Sequence, residues 1–326
     1  MRTVLVTGAT GCLGSNLALH LAASGIGIRA LARPSSDVSF LRKAGIPVIQ
    51  GDICDENVLL KAVAGCDTVF HTAALVTFAR AQRAEQYRVN VLGTRNVVNA
   101  CTKTGAATLV HVSSVSAVGY PPSGSLANED TRVDHAAASG YKLSKLLAED
   151  EVRNAAASGL RTVIVCPSVI MGERDTKFHG GQLIRDIWKG RILFYVDGGM
   201  NIVYAGDVVK GMMLAAERGA TGERYILGGE NMTHKDAFMR TADLIGGRRP
   251  FARLPLGLLR AAGAVAERCA NVIRVEPIFT ADLAALAGRY LWYDIAKARD
   301  NLGYSPGTFD HAVLAAFQWY RENGIL

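Results

Sequence analysis

Short, nearly continuous apolar runs alternate with longer stretches of helical spacing through the first half of the chain. Thr3–Thr7 is a β-branched run that predicts a first strand, and Leu13–Ala23 follows with helical periodicity and a stop at Gly25. Ile28–Ala32 and Pro47–Gln50 predict strands two and three. After Asp52 and a helical Val58–Val63 comes a fourth strand, Thr68–His71, ended by Thr72-Ala73-Ala74. A helical pattern from about Ala84 to Lys103 leads to a fifth strand, Thr108–Val112, and a helix from Tyr141 to Asn154 leads to a sixth, Thr162–Val165. Strands that alternate with helices call for parallel pairing and right-handed crossovers. Strands apolar throughout call for helices on both faces of the sheet. The expectation is an α/β fold, a doubly wound parallel sheet that binds a nucleotide at the carboxyl ends of its strands.

After Pro167 the rhythm changes. Gly180-Gly181, Gly198-Gly199 and Arg248-Arg249-Pro250 break the pattern. Val203–Ala216 joins a strand-like start to a helix, and the last third reads as mainly helical, ending in His311–Arg321. Residues 1–168 and 202–225 are assigned to the sheet domain, and residues 169–201 and 226–326 to a smaller, partly interleaved substrate-binding lobe. A length of 326 residues suits one large or two modest domains.

Composition narrows the partners. With 49% hydrophobic and 20% charged residues, the chain can bury a full core. A formal net charge of +7 favours anionic ligands such as a phosphorylated cofactor. Aromatics at 7%, with no interleaved Lys/Arg stripe, argue against nucleic acid. The six cysteines form no C-x-x-C pair or Cys/His set, so neither a metal site nor a disulfide framework is expected, and a reducing, cytoplasmic setting is. The N-terminal apolar stretch has glycines at turn spacing rather than the pattern of a leader. No stretch reaches the ~20 apolar residues of a membrane span. Leu254 to Ala266 comes nearest, and reads as a substrate lid, a membrane-surface helix or a buried domain helix.

Two clusters carry candidate chemistry. The first is the turn Thr7-Gly8-Ala9-Thr10-Gly11-Cys12-Leu13-Gly14 between strand one and its helix. Gly8 permits a sharp exit from the strand, Gly11 lets backbone approach phosphate, and Gly14 lets the helix press on the sheet. The helix N-terminus offers free N–H groups and a positive dipole end to a pyrophosphate. At the end of strand two, where an acid would bind a ribose 2′-hydroxyl, the chain has Arg33-Pro34-Ser35-Ser36. Arg33 and the serines suit a 2′-phosphate, so NADP(H) is expected, with NAD possible. Asp52-Ile53 is placed to flank the adenine.

The second cluster is Tyr141-Lys142-Leu143-Ser144-Lys145 downstream of Val112-Ser113-Ser114. Residues four apart on a helix share a face, so Tyr141 and Lys145 point together. The ammonium is expected to lower the phenol's pKa from near ~10, making it a proton donor or acceptor near neutral pH. Ser114, or in its place Ser113, would hydrogen-bond a carbonyl oxygen. Asn90 lies on a helix that could back the site, and His71, where strand four ends, reads as a packed histidine.

The glycine turn, Gly51-Asp52, His71-Thr72-Ala73-Ala74, Val89-Asn90-Val91-x-Gly93-Thr94, Val112-Ser113-Ser114, the Tyr141/Lys145 pair and Cys166-Pro167-Ser168-Val169-Ile170-Met171-Gly172 together resemble the extended short-chain dehydrogenase/reductases, the NAD-dependent epimerase/dehydratase superfamily. Arg33-Pro34-Ser35-Ser36-Asp37 and Tyr225-Ile226-Leu227-Gly228-Gly229 resemble its dihydroflavonol 4-reductase-like branch, and the His71 and Asn90 segments its 3β-hydroxysteroid dehydrogenases. The resemblance implies a Rossmann fold, an Asn90-Ser114-Tyr141-Lys145 catalytic set, Pro167 beside the nicotinamide, and a homodimer. The cofactor site would take in Gly8, Thr10, Gly11, Cys12, Leu13, Gly14, Arg33, Ser36, Asp52, Ile53, Thr72, Ala73, Ala74, Pro167 and Val169, besides Tyr141 and Lys145. The expected activity is NADP(H)-dependent hydride transfer to or from an apolar ketone, aldehyde or secondary alcohol. The alternative is a nucleotide-sugar epimerase. Two departures from the family argue against nucleotide-sugar chemistry: the acidic pair of its sugar dehydratases does not follow Ser114, and Met200-Asn201-Ile202-Val203-Tyr204 lacks the cation many of its epimerases carry there.

Overall fold

The computed structural model describes residues 1–119, 125–131, 133, 135–136, 138–258 and 288–326. Its centre is a parallel sheet built from β1 (Thr3–Thr7), β2 (Gly27–Ala32), β3 (Val48–Gln50), β4 (Thr68–His71), β5 (Thr108–Val112), β6 (Arg161–Pro167) and a later strand, β10 (Arg224–Leu227). The seven strands lie in the order β10-β6-β5-β4-β1-β2-β3. Sequence order reverses at β1, where β1 pairs with both β2 and β4, and the carboxyl ends of the strands open into a crevice there.

Side-chain alternation makes two cores from one sheet. Val4 and Val6 enter the core on one face, against α1 (Cys12–Ala23), while Leu5 enters the other with Leu59, Val97 and Val152. Those three belong to α3 (Glu56–Val63), α5 (Gly93–Thr104) and α6 (Gly140–Ala157). Both faces are covered, which is why the strands read as unbroken apolar runs.

Between α4 (Arg83–Tyr87) and α5 the backbone widens into a π-helical turn, Arg88–Leu92, so the expected helix from Ala84 to Lys103 is interrupted. The short α2 (Ser39–Lys43) was not signalled by periodicity. The lobe holds β7 (Val169–Met171), α7 (Gln182–Trp188), β8 (Phe194–Tyr195), β9 (Gly199–Tyr204), β11 (Glu230–Thr233), α9 (His234–Ile245) and β12 (Ala252–Arg253). β9 runs antiparallel to β11 and parallel to β7.

The chain crosses between the two parts repeatedly. After β9, α8 (Ala205–Arg218) returns to pack on α1, and β10 carries the sheet past residue 225. Near the end, α10 (Ala296–Leu302) lies against α8 and β10 and puts Ala298, Leu302 and Tyr304 into the sheet core. The last helix, α11 (Phe309–Glu322), packs in the lobe core with Ile184 and Ile187. Of residues 254–266, only 254–258 are described, so the expected helix there lies largely outside the described residues. Among the described residues, no helix is long and apolar enough to cross a membrane.

Candidate active site

The turn after β1 is shaped by contacts that forbid side chains. Gly8 has φ +68°, and a Cβ there would lie 2.6 Å from the backbone N of Ala73. A Cβ on Gly14 would lie 2.2 Å from the Gly8 carbonyl oxygen. Gly11 differs: a Cβ would meet only that carbonyl oxygen, at 3.4 Å, which is ordinary contact. Packing accounts for Gly8 and Gly14, whereas Gly11, the N-cap of α1, faces open space with no side-chain cap on the helix. A phosphate group fits that opening and the free N–H groups beside it.

This opening belongs to one cleft of about 1370 Å³ that runs along the carboxyl ends of the strands. Its wall includes Gly8, Thr10, Gly11, Cys12, Leu13, Gly14, Arg33, Ser36, Asp52, Ile53, Thr72, Ala73, Ala74, Ser114, Tyr141, Lys145, Pro167 and Val169. Every residue expected to hold the cofactor therefore lies on a single surface, although the residues come from separate loops.

At the far end stand the groups of the Tyr141 helix. Lys145 Nζ donates to the Val112 carbonyl oxygen at 2.8 Å and sits 5.9 Å from the centre of the Tyr141 ring. The Ser114 hydroxyl lies beside the phenol, donates to Ser116 Oγ at 3.2 Å and accepts from the Ser116 N–H at 3.1 Å. Ser113 turns the other way and donates to the buried Glu149 carboxylate at 2.5 Å, which leaves Ser114 as the hydroxyl beside the phenol. The expected lowering of the Tyr141 pKa is not found. Burial pushes it up to about 12, against the Ser114 hydroxyl, which favours the phenolate. Burial also brings Lys145 down to about 8, with Glu149 pulling the other way. Loss of hydration is the largest influence on both groups, the ammonium being buried and the phenol half-buried in the cleft wall.

The helix behind these groups is braced rather than loose. Tyr141, Lys145 and Glu149 follow one another at spacings of four on α6. Glu149 is fully buried, and besides Ser113 it holds Arg153 at 2.7 Å. Sequence reasoning missed Glu149, although the same i, i+4 rule that paired Tyr141 with Lys145 points to it.

Asn90 does not reach the cleft wall. The π-helical turn aims its amide at the Leu75 backbone, accepting from the N–H at 2.7 Å and donating to the C=O at 3.1 Å, and at Ser144 Oγ, 2.9 Å away. It ties the loop after β4 to α6. His71 is a packed histidine, its Nδ1 2.8 Å from Thr7 Oγ1 and its Nε2 3.0 Å from Thr94 Oγ1. Thr94 spends its proton on the Asn90 carbonyl at 2.6 Å, so it accepts from Nε2–H, and Nδ1 accepts from Thr7. Burial, with Lys145 nearby, lowers His71 to about 3, so the ring is neutral.

A loop from the lobe also reaches the cleft. Arg174, Asp175, Thr176 and Lys177 line its mouth opposite Phe40. No periodicity marks this stretch, and no role was expected for it.

The model of the NAD dependent epimerase/dehydratase family matches residues 4–228. The chain is 32% identical over 327 residues to sterol demethylase protein B of Methylococcus capsulatus, covering 99% of this chain and 100% of that protein. It is 34% identical over 311 residues to the 4-hydroxy-2-methyl-3-oxo-4-farnesyl-3,4-dihydroquinoline-1-oxide ketoreductase of Stigmatella aurantiaca, covering 94% and 92%. Other relatives carry dihydroflavonol 4-reductase and 3-beta-hydroxysteroid dehydrogenase in their names, in keeping with the branch expected from sequence. Among solved structures, a nucleoside-diphosphate-sugar epimerase from Pseudomonas aeruginosa superposes with a TM-score of 0.82 at 29% identity, covering 99% of this chain and 98% of that one. The chain belongs to the NAD dependent epimerase/dehydratase family, and is an enzyme of the extended short-chain dehydrogenase/reductases.

Proposed function

We propose that the protein is an NADP(H)-dependent reductase/dehydrogenase that interconverts an apolar ketone or aldehyde with its alcohol, with Tyr141 as general acid/base. The observation that carries this reading is the single cleft shared by the glycine turn, Arg33, Ser114, Tyr141 and Lys145. Gly11 and the start of α1 hold the pyrophosphate, Arg33 and Ser36 the 2′-phosphate, and Asp52 and Ile53 flank the adenine. Thr72, Ala73, Ala74, Pro167 and Val169 line the path to the reacting end. When bound, the nicotinamide cofactor supplies hydride to the carbonyl carbon, or takes it back in the reverse direction.

The residues of the chain handle the oxygen. With its pKa pushed up to about 12, the phenol is protonated at neutral pH and is set to donate to an oxygen that gains negative charge. Ser114 gives that oxygen a second hydrogen bond. Lys145, charged below about pH 8, stabilises the phenolate left behind. Leu75, Val76, Phe78, Ile170, Met200 and Leu291 give the same cleft an apolar side, and Phe78 meets the Tyr141 ring edge-on at 6.2 Å. An apolar substrate suits that wall, and the sterol and farnesyl-quinoline names of the relatives point the same way.

A screen of NADPH oxidation across aromatic, aliphatic, steroidal and sugar carbonyls tests the proposal. Turnover of apolar ketones supports it; turnover of nucleotide sugars alone sinks it. The likeness to the nucleoside-diphosphate-sugar epimerase favours a second reading, an epimerase that retains NAD(H). Nicotinamide absorbance in protein purified without added cofactor would select that reading.

A further inference from the structure

The lobe loop at the mouth of the cleft carries a strained and well-anchored arginine. Arg174 has φ +64°, in the left-handed region that a long side chain rarely adopts. The loop is held there from several sides. Asp175 is buried and accepts from the backbone N–H groups of His179, Gly180 and Gly181 at 3.0, 2.9 and 2.9 Å. The Glu173 carbonyl accepts from Asn16 Nδ2 at 2.9 Å, at the start of α1, and Tyr204 donates to the Glu173 carboxylate at 2.9 Å. These bonds clamp Arg174 between the lobe and the phosphate end of the sheet domain.

Its guanidinium is 5.2 Å from the centre of the Phe40 ring, on α2 just past the Arg33–Ser36 loop. Phe40, Arg33, Ser36 and Arg174 all line the cleft. Among the described residues, no salt bridge holds Arg33 or Arg174, although Glu85 acts on Arg33 and Glu173 on Arg174 through space. The two guanidinium groups thus line one cleft from different parts of the chain, with Phe40 of α2 beside Arg174. A strained backbone that persists under several hydrogen bonds is a feature of sites where geometry serves a ligand.

We infer that Arg174 is a second, lobe-borne cation for the adenosine 2′-phosphate of the cofactor, acting with Arg33 across the cleft. The inference rests on the NADP(H) reading above. The cofactor then also joins the two parts of the molecule, because a phosphate held from both sides ties the lobe to the sheet domain. Phe40 carries the Arg174 side chain as a flat support, leaving the guanidinium edge for the phosphate.

Binding of 2′,5′-ADP and of 5′-ADP, measured calorimetrically on the whole chain, separates the 2′-phosphate from the rest of the ligand. The wild-type protein is expected to prefer 2′,5′-ADP by tenfold or more. Arg174→Met is expected to cut that preference by about tenfold, the scale of one charge-assisted pair, and Arg174→Lys to restore part of it. Arg174→Gly relieves the left-handed backbone, so it should melt no lower than wild type while losing the same preference. A wild-type protein with no preference overturns the NADP reading and this inference with it. A preference that survives in Arg174→Met overturns the inference alone. Equal weakening of both ligands overturns it too, since the contact would then be to another phosphate.

Discussion

Replacing Lys145 with methionine is expected to stabilise the fold while ending turnover. Lys145 is 3% exposed and donates one hydrogen bond, to the Val112 carbonyl. Lowering its pKa from 10.5 to about 8 corresponds to roughly 3 kcal/mol of unfavourable free energy for keeping the ammonium inside the fold at neutral pH. Losing the hydrogen bond returns about 1 kcal/mol, and methionine fills a similar volume. The variant should gain about 1–2 kcal/mol at pH 7. The pH dependence gives the sign a second check. The unfolded chain holds the Lys145 proton up to about its ordinary pKa of 10.5, and the folded chain releases it near about 8. Between those values the unfolded state binds more protons, so wild-type stability rises with pH and the penalty disappears. The advantage of the variant should therefore shrink by about 2 kcal/mol between pH 7 and 9.5. Urea denaturation of both proteins at the two pH values measures this. A variant less stable than wild type at pH 7, or a difference that ignores pH, would refute the claim that the ammonium is held at a cost.

The two serines should separate cleanly. Ser114→Ala is expected to lower kcat by about 10²–10³ with stability nearly unchanged, as for the loss of an oxyanion donor. Ser113→Ala strips the donor from buried Glu149 and should cost about 1–3 kcal/mol in denaturation experiments, with a smaller effect on kcat. Arg33→Met should weaken NADPH binding by about tenfold or more and NADH binding far less, and equal losses would remove the 2′-phosphate assignment. In pH–rate profiles, ketone reduction should stay flat up to about the Lys145 pKa of 8, because Tyr141, near about 12, keeps its proton. Alcohol oxidation should rise with pH across the same range, as the Tyr141–Lys145 pair sheds a proton. An oxidation rate that falls with rising pH would contradict the roles given to the pair.

Strands β1 to β6 were legible because each is apolar on both faces, and the glycine turn because Gly8 and Gly14 meet backbone that leaves no room for a side chain. The meeting of Arg33, Ser114 and Tyr141 on one cleft was legible as well, since parallel strands with right-handed crossovers deliver their carboxyl-end loops to one edge. Other features depend on partners distant in sequence. β8 and β12 are two-residue strands that exist only by pairing with each other. The turn around Asn90 keeps helical spacing, so nothing in its pattern reveals the π-helical widening that swings the amide toward Leu75 and Ser144. The phenol's pKa followed burial rather than the neighbouring charge, and burial is decided by the packed fold. Arg174 lies in a stretch without periodicity, and only the contacts of Glu173 and Asp175 bring it to the cofactor side.

The most direct test is single-turnover NADPH oxidation by Tyr141→Phe with a ketone that the wild-type protein reduces, alongside direct NADPH binding. Phenylalanine keeps the ring and removes the one proton assigned to chemistry. The rate should fall by about 10²–10⁴ while the NADPH Kd stays within a few-fold of wild type. A rate within tenfold of wild type, with binding intact, would contradict the assignment of Tyr141 as the acid.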